Sequence, residues 1–91
     1  MKNKKAVHIV GETRIFHLSN GFSVKFEPPS SDDIKAHARA RASLYDSRGR
    51  MVDYLLEGEG FDIQNTKMCE KLAVDIYECF KDMYFSGRQE Q

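Results

Sequence analysis

The chain has 91 residues, 41% of them apolar and 31% charged, the balance of a folded globular domain rather than a disordered segment. Fourteen Lys and Arg offset fourteen Asp and Glu, so the formal net charge is zero, which argues against a strongly basic nucleic-acid binder and an acidic nucleic-acid mimic alike. No apolar run approaches the ~20 residues of a membrane helix, and the apolar stretch after the basic start, Ala6 to Val10, is too short for a signal peptide.

One cytoplasmic domain over 1–91 is therefore expected, with 1–5 and 87–91 frayed. Strands are predicted over 6–10 and 13–18, joined at Gly11-Glu12. Gly at the first central position suits a type II′ turn, which pairs Ile9 with Arg14 and Val7 with Phe16. A third strand is predicted over 22–26. Two registers compete across Ser19-Asn20-Gly21. The one with Gly21 in a left-handed bulge position pairs Leu18 with Phe22 and Phe16 with Val24. It gathers Phe16, Leu18, Phe22, Val24 and Phe26 on one face, so burial selects it. The connector from Glu27 to Asp33 holds two prolines and ends the strand.

The next stretch sets propensity against pattern. Ala, Arg and Lys favour helix, and Ser31-Asp32 would make a fair cap. Yet Ile34, Ala36, Ala38, Ala40, Ala42 and Leu44 alternate strictly with Lys35, His37, Arg39, Arg41, Ser43 and Tyr45. A period of two over that length predicts a strand over 34–46. Asp46-Ser47-Arg48-Gly49 reads as a turn, and a returning strand is predicted over 50–58. The pairing this implies sets Leu44 against Val52, Ala42 against Tyr54 and Ala40 against Leu56. On the wet side it sets Ser43 against Asp53, Arg39 against Glu57 and His37 against Glu59.

After Asn65, a reasonable cap, Cys69, Leu72, Ala73, Ile76, Phe80 and Met83 recur at threes and fours, so a helix is predicted over 66–85, stopped by Ser86-Gly87. The fold expected is α+β: an antiparallel meander of five strands packed on one C-terminal helix. The alanine ladder would let that helix lie close, flanked by Phe16, Phe22, Val24, Phe26, Tyr54 and Leu56.

Chemistry-bearing motifs are missing from the sequence. It holds no phosphate loop, no His-Glu-x-x-His and no Cys-x-x-Cys. Cys69 and Cys79, ten residues apart on one helix, lie ~15 Å apart along its axis and cannot bridge. Both are expected to be small buried side chains in a reducing compartment. His8 and His17 fall on the open face of the sheet, without the further ligand a zinc site requires. Neither Asp32 with Asp33 nor Glu57 with Glu59 looks desolvated enough for acid–base work. No catalytic residue, cofactor or metal is expected, and the chain is read as a non-enzyme.

Two binding surfaces suggest themselves. The helix carries more apolar surface than one core stripe uses. Val74, Tyr77, Tyr84 and Phe85 are the candidates for contact with another protein or a second copy. The leading expectation is thus a small protein-interaction module, a homodimer acting as adaptor or as an inhibitor of the kind mobile elements encode. The alternative is nucleic-acid binding through a basic stripe of Lys25, Lys35, Arg39 and Arg41. Residues 1–50 carry a balance of +5 and residues 51–91 one of −5, which gives the stripe some weight. Against it, most aromatics are expected to point inward, away from any base-stacking surface.

Overall fold

A computed structural model describes residues 6–18 and 21–89, with side chains described from Val7 to Asp82 apart from the gap at 19–20. Five strands form one antiparallel sheet in sequential order: β1 (Ala6–Val10), β2 (Thr13–His17), β3 (Ser23–Glu27), β4 (Ala40–Tyr45) and β5 (Met51–Glu57). A short helix, α1 (Ser31–Lys35), lies between β3 and β4, and a long one, α2 (Thr66–Gln89), follows β5. The α+β meander with a C-terminal helix is as the sequence indicates.

The first two hairpins follow the expected pairing. Ile9 faces Arg14 and Val7 faces Phe16. Gly11 has φ +61°, and no described non-glycine in that turn shares a positive φ, as a type II′ turn requires. Phe16 faces Val24, and the Leu18 N–H donates to the Phe22 carbonyl at 2.7 Å. Burial of a shared face fixes this register: Phe16, Val24 and Phe26 are at most 2% exposed.

The alanine-rich stretch departs from expectation in its first half. Only Ala40–Tyr45 is strand, whereas residues 31–35 form α1 and the chain turns at 36–39. The cause is local hydrogen bonding. The Ser30 hydroxyl accepts from the Asp33 N–H at 3.1 Å, and the Asp33 carboxylate accepts from the Ser30 N–H at 3.0 Å. This reciprocal box satisfies two otherwise orphaned donors. The far end closes as tightly: the N–H groups of His37 and Ala38 donate to the carbonyls of Ile34 and Asp33, both at 2.9 Å. That is a Schellman closure, and it puts His37 at φ +65°, a position that favours glycine. Ala36, expected to face the helix, is exposed.

The β4–β5 register is the second departure. The turn forms as expected, with Tyr45 facing Met51. A β-bulge then intervenes, so Leu44 faces Asp53, Ala42 faces Leu55 and Ala40 faces Glu57. Val52 is the extra residue. The slip turns the rest of the strand over: Asp53, Leu55 and Glu57 now share the helix side with Ala42 and Leu44. Tyr54 and Leu56, expected beside the helix, point to the open side with Ser43 and Arg41.

Asn65 caps α2 through its side-chain oxygen, which accepts from the Met68 N–H at 3.0 Å. The helix runs on through Ser86 and Gly87 to Gln89. A glycine costs a helix about 1 kcal/mol but does not forbid it. The core lies between α2 and the strands it runs along, β2 and β3. Cys69 and Ala73, both fully buried, are the small residues that permit close approach. Phe26 packs edge-on to Phe16 with centroids 5.8 Å apart and stacks on Phe61 at 5.7 Å. Arg14, on this same face, is only 7% exposed. Its guanidinium donates to the Gly11 carbonyl and to Gln64 Oε1, both at 3.3 Å, while Nε has no partner among the described residues.

Candidate interaction surface

α2 covers the middle of the sheet and leaves its β5 side open. Six consecutive residues, Met51 to Leu56, are exposed. Five of them are large and apolar: Met51 51%, Val52 38%, Tyr54 49%, Leu55 42% and Leu56 40% exposed. β5 is also an outer strand of the sheet, so among the described residues one row of its backbone donors and acceptors has no strand to pair with. Natural edge strands are commonly blunted by charge, proline or brevity. Between Met51 and Leu56 only Asp53 is charged, and β5 is the longest strand of the sheet. The opposite edge, β1, also exposes Val7, Ile9 and Val10, but it is shorter.

A groove of about 310 Å³ runs between β5 and α2. Tyr54 and Leu55 line its sheet side, and Leu72, Ile76 and Phe80 form its helix side. Asp53 and Asp75 stand at its margins. Among the described residues neither aspartate takes part in an ion pair. Cys79 also borders the groove and is exposed, contrary to the expectation for both cysteines. Cys69 is buried as expected. Burial pushes its thiol pKa up against the opposing pull of Arg14, which keeps it a poor nucleophile.

The residues singled out in the sequence scatter. Tyr77 packs on Phe22, with ring centroids 5.2 Å apart, and Val74 is half-buried above a shallow depression shared with Lys67, Glu70, Lys71 and Asp75. Tyr84 and Phe85 lie outside the residues whose side chains are described. Lys25 and Arg41 share the open face of the sheet, and each is engaged. Lys25 lies 3.5 Å from Glu27 and 5.6 Å from the centroid of the Tyr45 ring. Burial alone would lower its pKa, but Glu27 and Tyr45 outweigh that and raise it. Arg41 is held by Asp33 and sits 4.6 Å above the Tyr54 ring. Lys35 is on α1 and Arg39 in the turn after it, so of the three cations expected along one strand, with Lys25 beside it, only Arg41 lies on β4.

His8 and His17 meet edge-on, with centroids 6.3 Å apart on the open face. Among the described residues no group of three or more potential ligands could hold a metal. His37 and Glu59 do come together with Arg39, around an open hollow of about 500 Å³ that also touches Pro29 and Ile34. Among the described residues no helix is long and apolar enough to cross a membrane. Comparison with protein-family models, curated proteins and solved structures finds no match.

The β5 surface escapes a reading of the sequence because the alternation of Val52, Tyr54 and Leu56 points to the core. Its legible signal is a run, MVDYLL, apolar at both odd and even positions. Such a run has no wet side to offer, whichever way the strand is turned.

Proposed function

We propose that the protein is a dimeric protein-interaction module, an adaptor or inhibitor rather than an enzyme, and that two copies join edge to edge through β5. The observation that carries this reading is the exposed apolar run on an unpaired edge. Each large side chain left about half exposed forgoes about 1 kcal/mol of burial. With Leu55 turned to the groove, the other four make eight such side chains in a dimer, a gain within the 4–15 kcal/mol that association costs, before any new strand hydrogen bonds are counted.

Among the registers centred on Asp53, Tyr54 and Leu55, charge favours one. An antiparallel pair of identical strands has a two-fold axis normal to the sheet, so one residue must face its own copy. With Asp53 on the axis, two carboxylates oppose each other. With Leu55 on the axis, Asp53 opposes the partner's Glu57. With Tyr54 on the axis, Val52 meets the partner's Leu56, Asp53 meets the partner's Leu55, and no like charges face each other. Zero net charge also spares the two copies long-range repulsion. Two unpaired cysteines suit a reducing, cytoplasmic setting.

Sedimentation equilibrium tests the reading. The wild type should be a dimer at micromolar concentration, and Tyr54→Glu, which sets two carboxylates on the axis, should be a monomer with the same circular dichroism. A wild type still monomeric at about 1 mM, where association is worth only about 4 kcal/mol, overturns it.

A further inference from the structure

The sheet is wider than the helix that covers it. Adjacent strands lie about 4.8 Å apart, which puts β5 roughly 12 Å to the side of the line between β2 and β3 that α2 follows. Packed helices sit about 8–10 Å axis to axis. A second helix laid beside α2 would therefore rest over β4 and β5, on the groove.

We propose that this groove receives an amphipathic helix of a partner protein, apolar face inward and Lys or Arg along its margins; the inference rests on reading β5 as part of an interaction surface.

Two features point to a helix. Leu72, Asp75, Ile76, Cys79 and Phe80 stand at positions i, i+3, i+4, i+7 and i+8 of α2, a straight stripe whose apolar members pack on the core and also present one side to the groove. The groove, at about 310 Å³, is too small for a whole helix and takes anchor side chains while the backbone rides above, as in helix-in-groove recognition. An extended partner would instead add to the edge of β5 and leave the groove unfilled.

The margins set the sign of the partner. Asp53 stands on the sheet side and Asp75 on the helix side, and neither is ion-paired among the described residues. A helix carrying acidic flanks would bring like charges together over an apolar floor. One carrying basic flanks would pair both sides at once. Edge-to-edge dimerisation leaves the groove open in each copy, because the second sheet continues the first and does not fold over it.

The test is calorimetric titration of the full chain, at physiological salt, with a designed amphipathic peptide of about 18 residues built from Leu and Lys, and with its Leu and Glu counterpart. The Leu/Lys peptide should bind one per subunit, about tenfold or more tighter than the Leu/Glu peptide. Asp53→Lys with Asp75→Lys should reverse that order, and Leu55→Glu should abolish binding. Equal binding of both peptides, no binding of either, or an order unchanged by the two lysines overturns the proposal. The lysine substitutions are at exposed sites, so the test does not depend on Leu55→Glu folding. A wild type that dimerises but binds no peptide defeats only the groove, and a monomer that binds with the stated preference defeats only the dimer.

Discussion

Arg41 grips Asp33 at two points, Nε to Oδ2 at 3.1 Å and Nη2 to Oδ1 at 3.0 Å. The same carboxylate closes the capping box of α1. One side chain therefore ends the connector after β3, starts a helix and fastens it to β4. The Arg41 bond, then the Ser30 N–H, hold the Asp33 carboxyl down from an ordinary 3.8 to about 2.

A carboxyl depressed in the folded state adds stability above its unfolded value and loses it as pH falls through the folded one. The Asp33 contribution should thus be complete above pH 4 and fade toward pH 2. Asp33→Asn should lower the melting midpoint at pH 7 by about 5 °C or more, the size expected in a domain this small when the pair with Arg41 and one half of the capping box are weakened together. Melting curves from pH 2 to 7 check both points, since the variant should show a shallower acid limb than the wild type.

His37 sits in the left-handed region with φ +65°. A side chain there costs roughly 1–2 kcal/mol that glycine avoids. His37→Gly should raise stability by about 0.5–1 kcal/mol in urea unfolding, after allowing for glycine's freer unfolded chain. A loss would mean that the imidazole contributes more to the hollow shared with Arg39 and Glu59 than its backbone costs.

Glu57 is half-buried, and burial raises its pKa above the ordinary 4.5. The sign is opposite to that of Asp33. Protonated Glu57 suits the fold, and stability declines as pH rises through the folded value. Glu57→Gln should raise the melting midpoint at pH 7 by about 2 °C and change nothing near pH 3. Paired melts at the two values decide it.

Gly21 has φ +90°, and a Cβ there would lie 2.7 Å from Ser47 Cβ in the β4–β5 turn. Gly11 also has a positive φ, +61°, but open space around it. Both alanine variants bear the backbone strain of about 1–2 kcal/mol, and only Gly21→Ala must also push two turns apart. Gly21→Ala should be the less stable of the two by chemical denaturation.

The sequence is legible where one arrangement buries far more than its rivals. Phe16, Val24 and Phe26 are large, and a slip by one residue would expose all three. The threes and fours of α2 are equally plain. The alanines at 36 and 38 carry too little apolar area to enforce a strand, so the hydrogen bonds between Ser30 and Asp33 decide the matter locally. The bulge is illegible for the opposite reason. Tyr54 and Leu56 on one side of β5 and Leu55 on the other are nearly equal claims on the core, and pattern alone cannot rank them. The candidate surface is hidden with it, since the same side chains that suit an interior also suit a contact between molecules.

Val52 gives the last hairpin one more residue than its partner strand can match. Its removal would iron out the kink and leave every later side chain on the side it now occupies. Removing any residue from Asp53 onward would instead invert the remainder of β5. A lineage of such chains could shed a codon at the bulge without changing the outline that the rest of the strand shows to its neighbours, and not from Asp53 onward.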